Sequence, residues 1–221
     1  MTSYLKGSSY LELLDWRRRM SELFADLRRR PPDAQTLAWF RGEKDALFRA
    51  HPQSPILAAE REHFTGLAYW PFDRAARVEA HFVPIDEPGD EQPHTGEVQS
   101  GEVQSGELQR GEVPFRPIGH LEFKYRDRPL SLAAFWIEGY AGGLFVPFTD
   151  ATSGHQTYGG GRYLLDTIKS ADLGCDAAAD FVTLDFNYAY HPSCHYDPRW
   201  VCPLAPPDSR LAIPMSAGER L

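Results

Sequence analysis

The residues able to do chemistry crowd into the last third of this 221-residue chain. TYGGGRYL, Thr157 to Leu164, sets three consecutive glycines directly ahead of Arg162. Such glycines permit positive φ and bare their backbone N–H groups, which suits a tight turn or an anion-binding nest. A guanidinium beside them could grip a carboxylate or phosphate in bidentate fashion. Upstream, FTDATSG holds Asp150, which could orient Arg162 or accept a proton. A plainer arrangement is equally open: Arg162 paired internally with Asp150, Asp166 or Asp185, and Asp150 capping a turn. The stretch is neither a P-loop nor a dinucleotide fingerprint, and Ser153-Gly154 lacks the Gly-x-Ser-x-Gly elbow of a serine hydrolase.

Farther on, LDFNYAYHPSCHYDPRWVC is the densest chemical run. At strand spacing Asp185 and Asn187 share one side, so the pair could bind a polar ligand or satisfy backbone where the strand ends. His191, Cys194, His195 and Cys202 add up to four nitrogen and sulfur donors, the usual number for structural zinc. Their spacing is not a standard zinc pattern, and Pro192, Pro198 and Pro203 stiffen the loop, so no metal is assigned. A Cys194–Cys202 disulfide is geometrically open, but two reduced thiols suit a reducing compartment better. The expected ligand set is Asp150, Tyr158, Arg162, Asp185, Asn187 and Tyr190, converging on a small polar or anionic molecule in a pocket between TYGGGRYL and DFNYAY. The alternative is a noncatalytic module whose Arg–Asp and Cys-rich loops only support one another. No reaction and no cofactor are specified; a split-barrel flavin protein would suit the pattern, yet no residue calls for flavin.

The elements that must position these residues follow from periodicity. Tyr10, Leu13, Trp16, Met20, Leu23 and Leu27 recur at three- and four-residue steps, predicting a helix over 9–30 with Ser9 and Glu12 as a capping box. A second helix is expected over 33–50 and a short third over 54–62, opened by Ser54-Pro55. Strands are expected in GLAYWPF, RVEAHFV, HLEFKY, LSLAAFWI and LFVPF, over 181–187, and briefly over 211–214. Helices precede strands, so the fold class is α+β: a mainly antiparallel sheet or barrel-like core with N-terminal helices packed on it. A single domain fits the length, with a helical part over 8–62 and a β-rich core over 66–221.

Charge is local. Residues 86–113 hold eight acidic side chains against Arg110, so this insert carries −7 of the net −8. Within it a five-residue repeat, GEVQS-GEVQS-GELQR-GEVPF, predicts a flexible acidic loop. The clusters Arg17–Arg19 and Arg28–Arg30 read as a solvated helix face, so nucleic acid is not an expected partner. No run approaches the roughly 18 apolar residues of a membrane helix and no signal-peptide order opens the chain, so a cytoplasmic location is expected. Oligomeric state is not legible.

TYGGGRYLLDTI, the run from Asp185-Phe-Asn to Leu211, and the closing AGER (Ala217–Arg220) together resemble the domain of unknown function 1684 family of bacteria and archaea. The matching positions are Asp150, Thr152, Gly154, Thr157, Tyr158, Gly159, Gly161, Arg162, Tyr163, Asp185, Asn187, Tyr190, Pro192, Cys194, Cys202 and Pro203. His191-Pro192-Ser193 stands where members often carry Asn-Pro-Pro, and His195 is not a family requirement, which weakens a shared metal site. The repeat at 96–113 has the look of a private insertion. The resemblance implies a family and no activity.

Overall fold

A computed structural model describes residues 7–85, 94–95, 114–139, 142–198 and 200–221. The acidic repeat at 96–113 lies outside them.

Two helices open the chain, α1 (Gly7–Leu27) and α2 (Ala34–Ala50). Helix α1 begins before Ser9, so Ser9 sits inside it and does not form the expected cap. It also ends at Leu27, short of Pro31-Pro32. Asp33 caps α2, its carboxylate accepting from the Thr36 N–H at 2.8 Å. Leu23, Phe24 and Leu27 pack on Leu37 and Phe40, and Phe40 stands edge-on to Tyr188 at 5.0 Å, which fastens both helices to the remainder. The third helix does not form. Arg61 donates to the carbonyls of His51, Pro52, Ser54 and Ile56, taking acceptors that a helix there would need, and the segment stays in turns.

The strands are β1 (Arg77–Pro84), β2 (His94–Thr95), β3 (Pro114–Tyr125), β4 (Arg128–Ile137), β5 (Gly143–Phe148), β6 (Arg162–Asp166), β7 (Cys175–Asp176) and β8 (Phe181–Asp185). They form one antiparallel sheet in the order β6-β5-β4-β3-β1-β8-β7, with β2 also on β3. Bulges at Pro117/Gly119 and Val146/Pro147 bend the long strands. The sheet curls into a half-barrel. Tyr190, just past β8, exchanges both backbone hydrogen bonds with Tyr163 of β6, at 2.8 and 3.1 Å, so chain from one end of the order meets the other. Alternation along β3 and β4 buries both faces: Leu121, Phe123, Leu132 and Ala134 in one cluster, Phe115, Ala133, Phe135 and Ile137 in another. The α+β class with helices packed on an antiparallel sheet thus holds.

Several expected strands differ. GLAYWPF is extended but contributes only the isolated bridge of Tyr69 with Glu219. Residues 211–214 likewise do not form a strand; Ser209 and Leu211 bond the Thr149 backbone instead, at 2.9 Å each. Strand β8 stops at Asp185, because its carboxylate takes the Asn187 N–H and winds Phe186–Tyr188 into a 3-10 turn. Strand β6 was not anticipated: all five of its residues are buried, so it shows no alternation to read. No helix among the described residues is long and apolar enough to cross a membrane.

Candidate functional site

Arg162 begins β6 and is only 1% exposed. Gly161 makes this possible: its φ is +91°, and a Cβ there would lie 2.6 Å from the Phe148 carbonyl. One guanidinium nitrogen donates to Asp150 Oδ2 at 2.7 Å and to the Met215 carbonyl at 2.8 Å. Another donates to the carbonyls of Ala217 and Glu219. Burial lowers the pKa of the guanidinium, and Asp150 opposes that shift. Asp150 in turn accepts from the N–H groups of Thr152 at 2.6 Å and Met215 at 3.3 Å. The structure therefore joins Arg162 to Asp150 and aims both at the C-terminal segment. The glycine loop closes on itself, with the Gly161 N–H on the Tyr158 carbonyl at 3.0 Å.

Asp185 and Asn187 stand in a different arrangement. Asn187 clamps the backbone of Asp73 from both sides, accepting from its N–H at 2.9 Å and donating to its carbonyl at 2.8 Å. Asp185 accepts from the Asn187 amide and lies 3.5 Å from Arg77. Burial raises the Asp185 pKa, against the pull of Asn187 and Arg77. The pair anchors the turn leading into β1.

A second buried carboxylate, outside the expected ligand set, gathers its own partners. Glu219, in AGER, is 1% exposed. It pairs with Lys44 of α2, itself 4% exposed. It also accepts the His191 N–H and the Tyr196 hydroxyl, each at 2.7 Å. Gly218 lets the tail approach, with φ +80° and no room for a Cβ beside the Ala189 and Phe186 carbonyls. Burial works to raise the Glu219 pKa, but Lys44 and His191 overcome it and leave it below the usual carboxylate value. His191 Nε2 accepts from the Tyr158 N–H at 3.3 Å, which puts the ring proton on Nδ1, 3.6 Å from Glu219. Burial pushes the pKa of His191 down to about 3. One signal for Lys44 was available: it falls four residues from both Phe40 and Phe48, a charge on an apolar stripe.

With His191 committed to Glu219 and Tyr158, the four possible zinc donors do not assemble. Among the described residues no group of three or more His, Cys, Asp or Glu is placed to hold a metal ion. Cys175, Cys194 and Cys202 are free thiols. The Tyr158 ring lies 5.1 Å from that of His195, and burial first, then Cys194, raises its pKa to about 12.

Between the helices and the sheet lies a cavity of about 390 Å³. Trp16 and Phe24 of α1, Phe40 and Phe48 of α2, and Tyr188 and Tyr190 form aromatic walls. Lys44 and Tyr196 bring the Glu219 cluster to the wall, and Lys44 Nζ lies 4.9 Å from the Tyr190 ring centre. Arg17, Arg18 and Lys169 also line it. Of the residues expected to bind ligand, Tyr190 reaches this cavity; Asp150, Tyr158, Arg162, Asp185 and Asn187 do not line it.

A search of curated proteins gives no match. Among solved structures, the chain is similar to an uncharacterized protein of Haloarcula marismortui determined by solution NMR. The two are 34% identical, with 85% of this chain and 93% of that one covered and a TM-score of 0.57. A family model, described as Protein of unknown function (DUF1684), matches residues 62–220, so the buried Arg162–Asp150 pair, the Asn187 clamp and Glu219 all lie within the matched region. The chain belongs to that family.

Proposed function

We propose that this protein binds a small molecule with a flat apolar body and an anionic group, held between the two helices and the sheet. The observation that carries this reading is the cavity lining. Four of the lining residues are Lys or Arg (Arg17, Arg18, Lys44, Lys169) and, among the described residues that line it, none is Asp or Glu. Aromatic walls supply area for an apolar body, and a volume of about 390 Å³ falls in the range of small-molecule sites. Arg18, Lys44 and Lys169 already have carboxylate partners, in Asp15 and Glu22, in Glu219 and in Asp166, so the anion would share cations held in place by other bonds. Of the ligand residues expected from sequence, Tyr190 is a contact, while Arg162, Asp150, Asp185 and Asn187 brace the surrounding chain.

Anilinonaphthalene sulfonate, an aromatic anion, is a suitable probe. Saturable one-to-one binding is expected, lost in Ser21→Trp, which fills the cavity, and weakened several-fold in Arg17→Ala. Equal binding by Ser21→Trp, with the fold intact by circular dichroism, would overturn the reading. For the Arg162–Asp150 region a supporting role is the better reading, because the guanidinium is occupied by Asp150 and three carbonyls.

A further inference from the structure

The cavity under the helices has two ends of different character. Exposed side chains stand at its mouth: Arg17 and Arg18 beside Leu14 from α1, and Lys169 beside Ile168. Arg18 and Lys169 are already offset by carboxylates of their own, whereas Arg17 makes no ion pair among the described residues. At the inner end the cation is Lys44, 4% exposed, with the rings of Phe48 and Tyr190 at 5.2 and 4.9 Å from Nζ. Its partner Glu219 is fully taken up. Lys44 donates to Oε1, and the His191 N–H and the Tyr196 hydroxyl both donate to Oε2. An ammonium carries three N–H donors, and among the described residues Glu219 is the oxygen partner of Lys44. Because Lys44 lines the cavity, it still has donors to offer a molecule held there.

We propose that Lys44 is the specificity-determining residue of this cavity, donating to a neutral acceptor oxygen at the inner end of a flat aromatic acid whose charged group stays at the mouth with Arg17. The inference rests on the cavity binding an aromatic anion; it adds which way round the ligand lies and what its far end must carry. Charge decides the orientation. Lys44 and Glu219 together are neutral, so a carboxylate driven to the inner end would shed its water and meet an ionised carboxylate as well as the ammonium. A ketone oxygen costs far less to bury, and it accepts a charge-assisted hydrogen bond from an ammonium that Glu219 already holds still. The neighbouring polar groups do not compete for it. The Tyr196 hydroxyl is committed to Glu219, and His191 accepts from the Tyr158 N–H on one ring nitrogen and faces Glu219 with the other. An inner end without an acceptor would leave the ammonium donors unanswered, which is how a buried donor discriminates between ligands of one shape. At the mouth, Arg17 can take the acid group without displacing a carboxylate.

The test compares two naphthoic acids of one shape, carrying an acetyl or an isopropenyl group at the ring position farthest from the acid. They differ by a carbonyl oxygen in place of a methylene. In calorimetric titration of the full chain, the acetyl acid is expected to bind about tenfold more tightly than the isopropenyl acid. The corresponding naphthalene dicarboxylic acid should bind more weakly than the acetyl acid. In Arg17→Ala both monoacids should weaken several-fold with their ratio kept. In Lys44→Met/Glu219→Gln, which removes both buried charges together, the ratio should fall to near one with the isopropenyl acid still bound. Equal binding of the two monoacids by the unaltered chain would overturn the role of Lys44 and leave the cavity reading standing. A preference that survives in the folded double variant would overturn that role too, and tighter binding of the dicarboxylic acid would overturn the orientation. The comparisons on the unaltered chain decide the matter even where the double variant does not fold. Binding of no acid would overturn the cavity reading itself, and this inference with it.

Discussion

Arg162 and His191 show how burial converts reactive side chains into fixed parts. A guanidinium with 1% exposure, whose two terminal nitrogens donate to one carboxylate and three carbonyls, has those nitrogens taken up within the protein. Replacing it with Ala leaves Asp150 charged and unpaired in the interior. A loss of about 3–5 kcal/mol is expected in urea unfolding, and Arg162→Lys should recover little because an ammonium cannot reproduce the fork. His191 makes the chain acid-sensitive. It is neutral when folded down to about pH 3, whereas the unfolded residue takes up a proton near its ordinary 6.5. Its contribution is complete above about pH 6.5 and is lost as the pH falls toward 3, on the order of 4 kcal/mol across that window. Glu219, also depressed, adds to the loss as the pH falls. Unfolding midpoints measured from pH 7.5 to 3.5 should drop steadily, and His191→Gln should flatten the upper part of that slope. An unchanged slope would mean that other groups dominate.

At the scale of elements, β1 depends on a clamp made after β8. Asn187 holds both backbone groups of Asp73 while Asp185 holds Asn187, so the turn at 73–76 is fixed by residues more than a hundred positions away. Removing the amide with Asn187→Ala leaves buried backbone groups without partners, at a cost of about 1–3 kcal/mol. Hydrogen exchange should then rise first over 67–76, with β3 and β4 protected as before; uniform acceleration throughout would instead indicate a global role. The same region explains a gap between sequence and structure. Strand-like composition in GLAYWPF was legible, but among the described residues no strand lies beside it for pairing, and the backbone of the tail supplies only the Gly218 carbonyl to Trp70 and the Arg220 N–H to Ala68 around one isolated bridge. By contrast, His120–Tyr125 of β3 alternates and pairs along its whole length with β4, so pattern and pairing agree.

For the molecule as a whole, the Lys44–Glu219 pair is the fastening between the helical part and the C-terminal tail, buried at both ends. Lys44→Met should destabilise by about 3–5 kcal/mol by stranding Glu219, and the double variant Lys44→Met/Glu219→Gln should regain much of that in thermal and urea midpoints. Additive losses in the double variant would mean the two groups act separately. Local periodicity was enough to establish two helices before an antiparallel sheet, because amphipathic spacing and strand alternation are written within a dozen residues. Gly161 was legible too, as a glycine beside Arg162, though not the Phe148 carbonyl that excludes a side chain there. The motif TYGGGRYL, with the run to Leu211 and AGER, was sufficient to point to the family. Only the tertiary structure decided which charges meet. Lys44 and Glu219 are 175 residues apart, and nothing in either neighbourhood encodes the other. It is the curl of the sheet, joining Tyr163 to Tyr190, that carries His191 and Tyr196 to the tail and leaves a cavity under the helices.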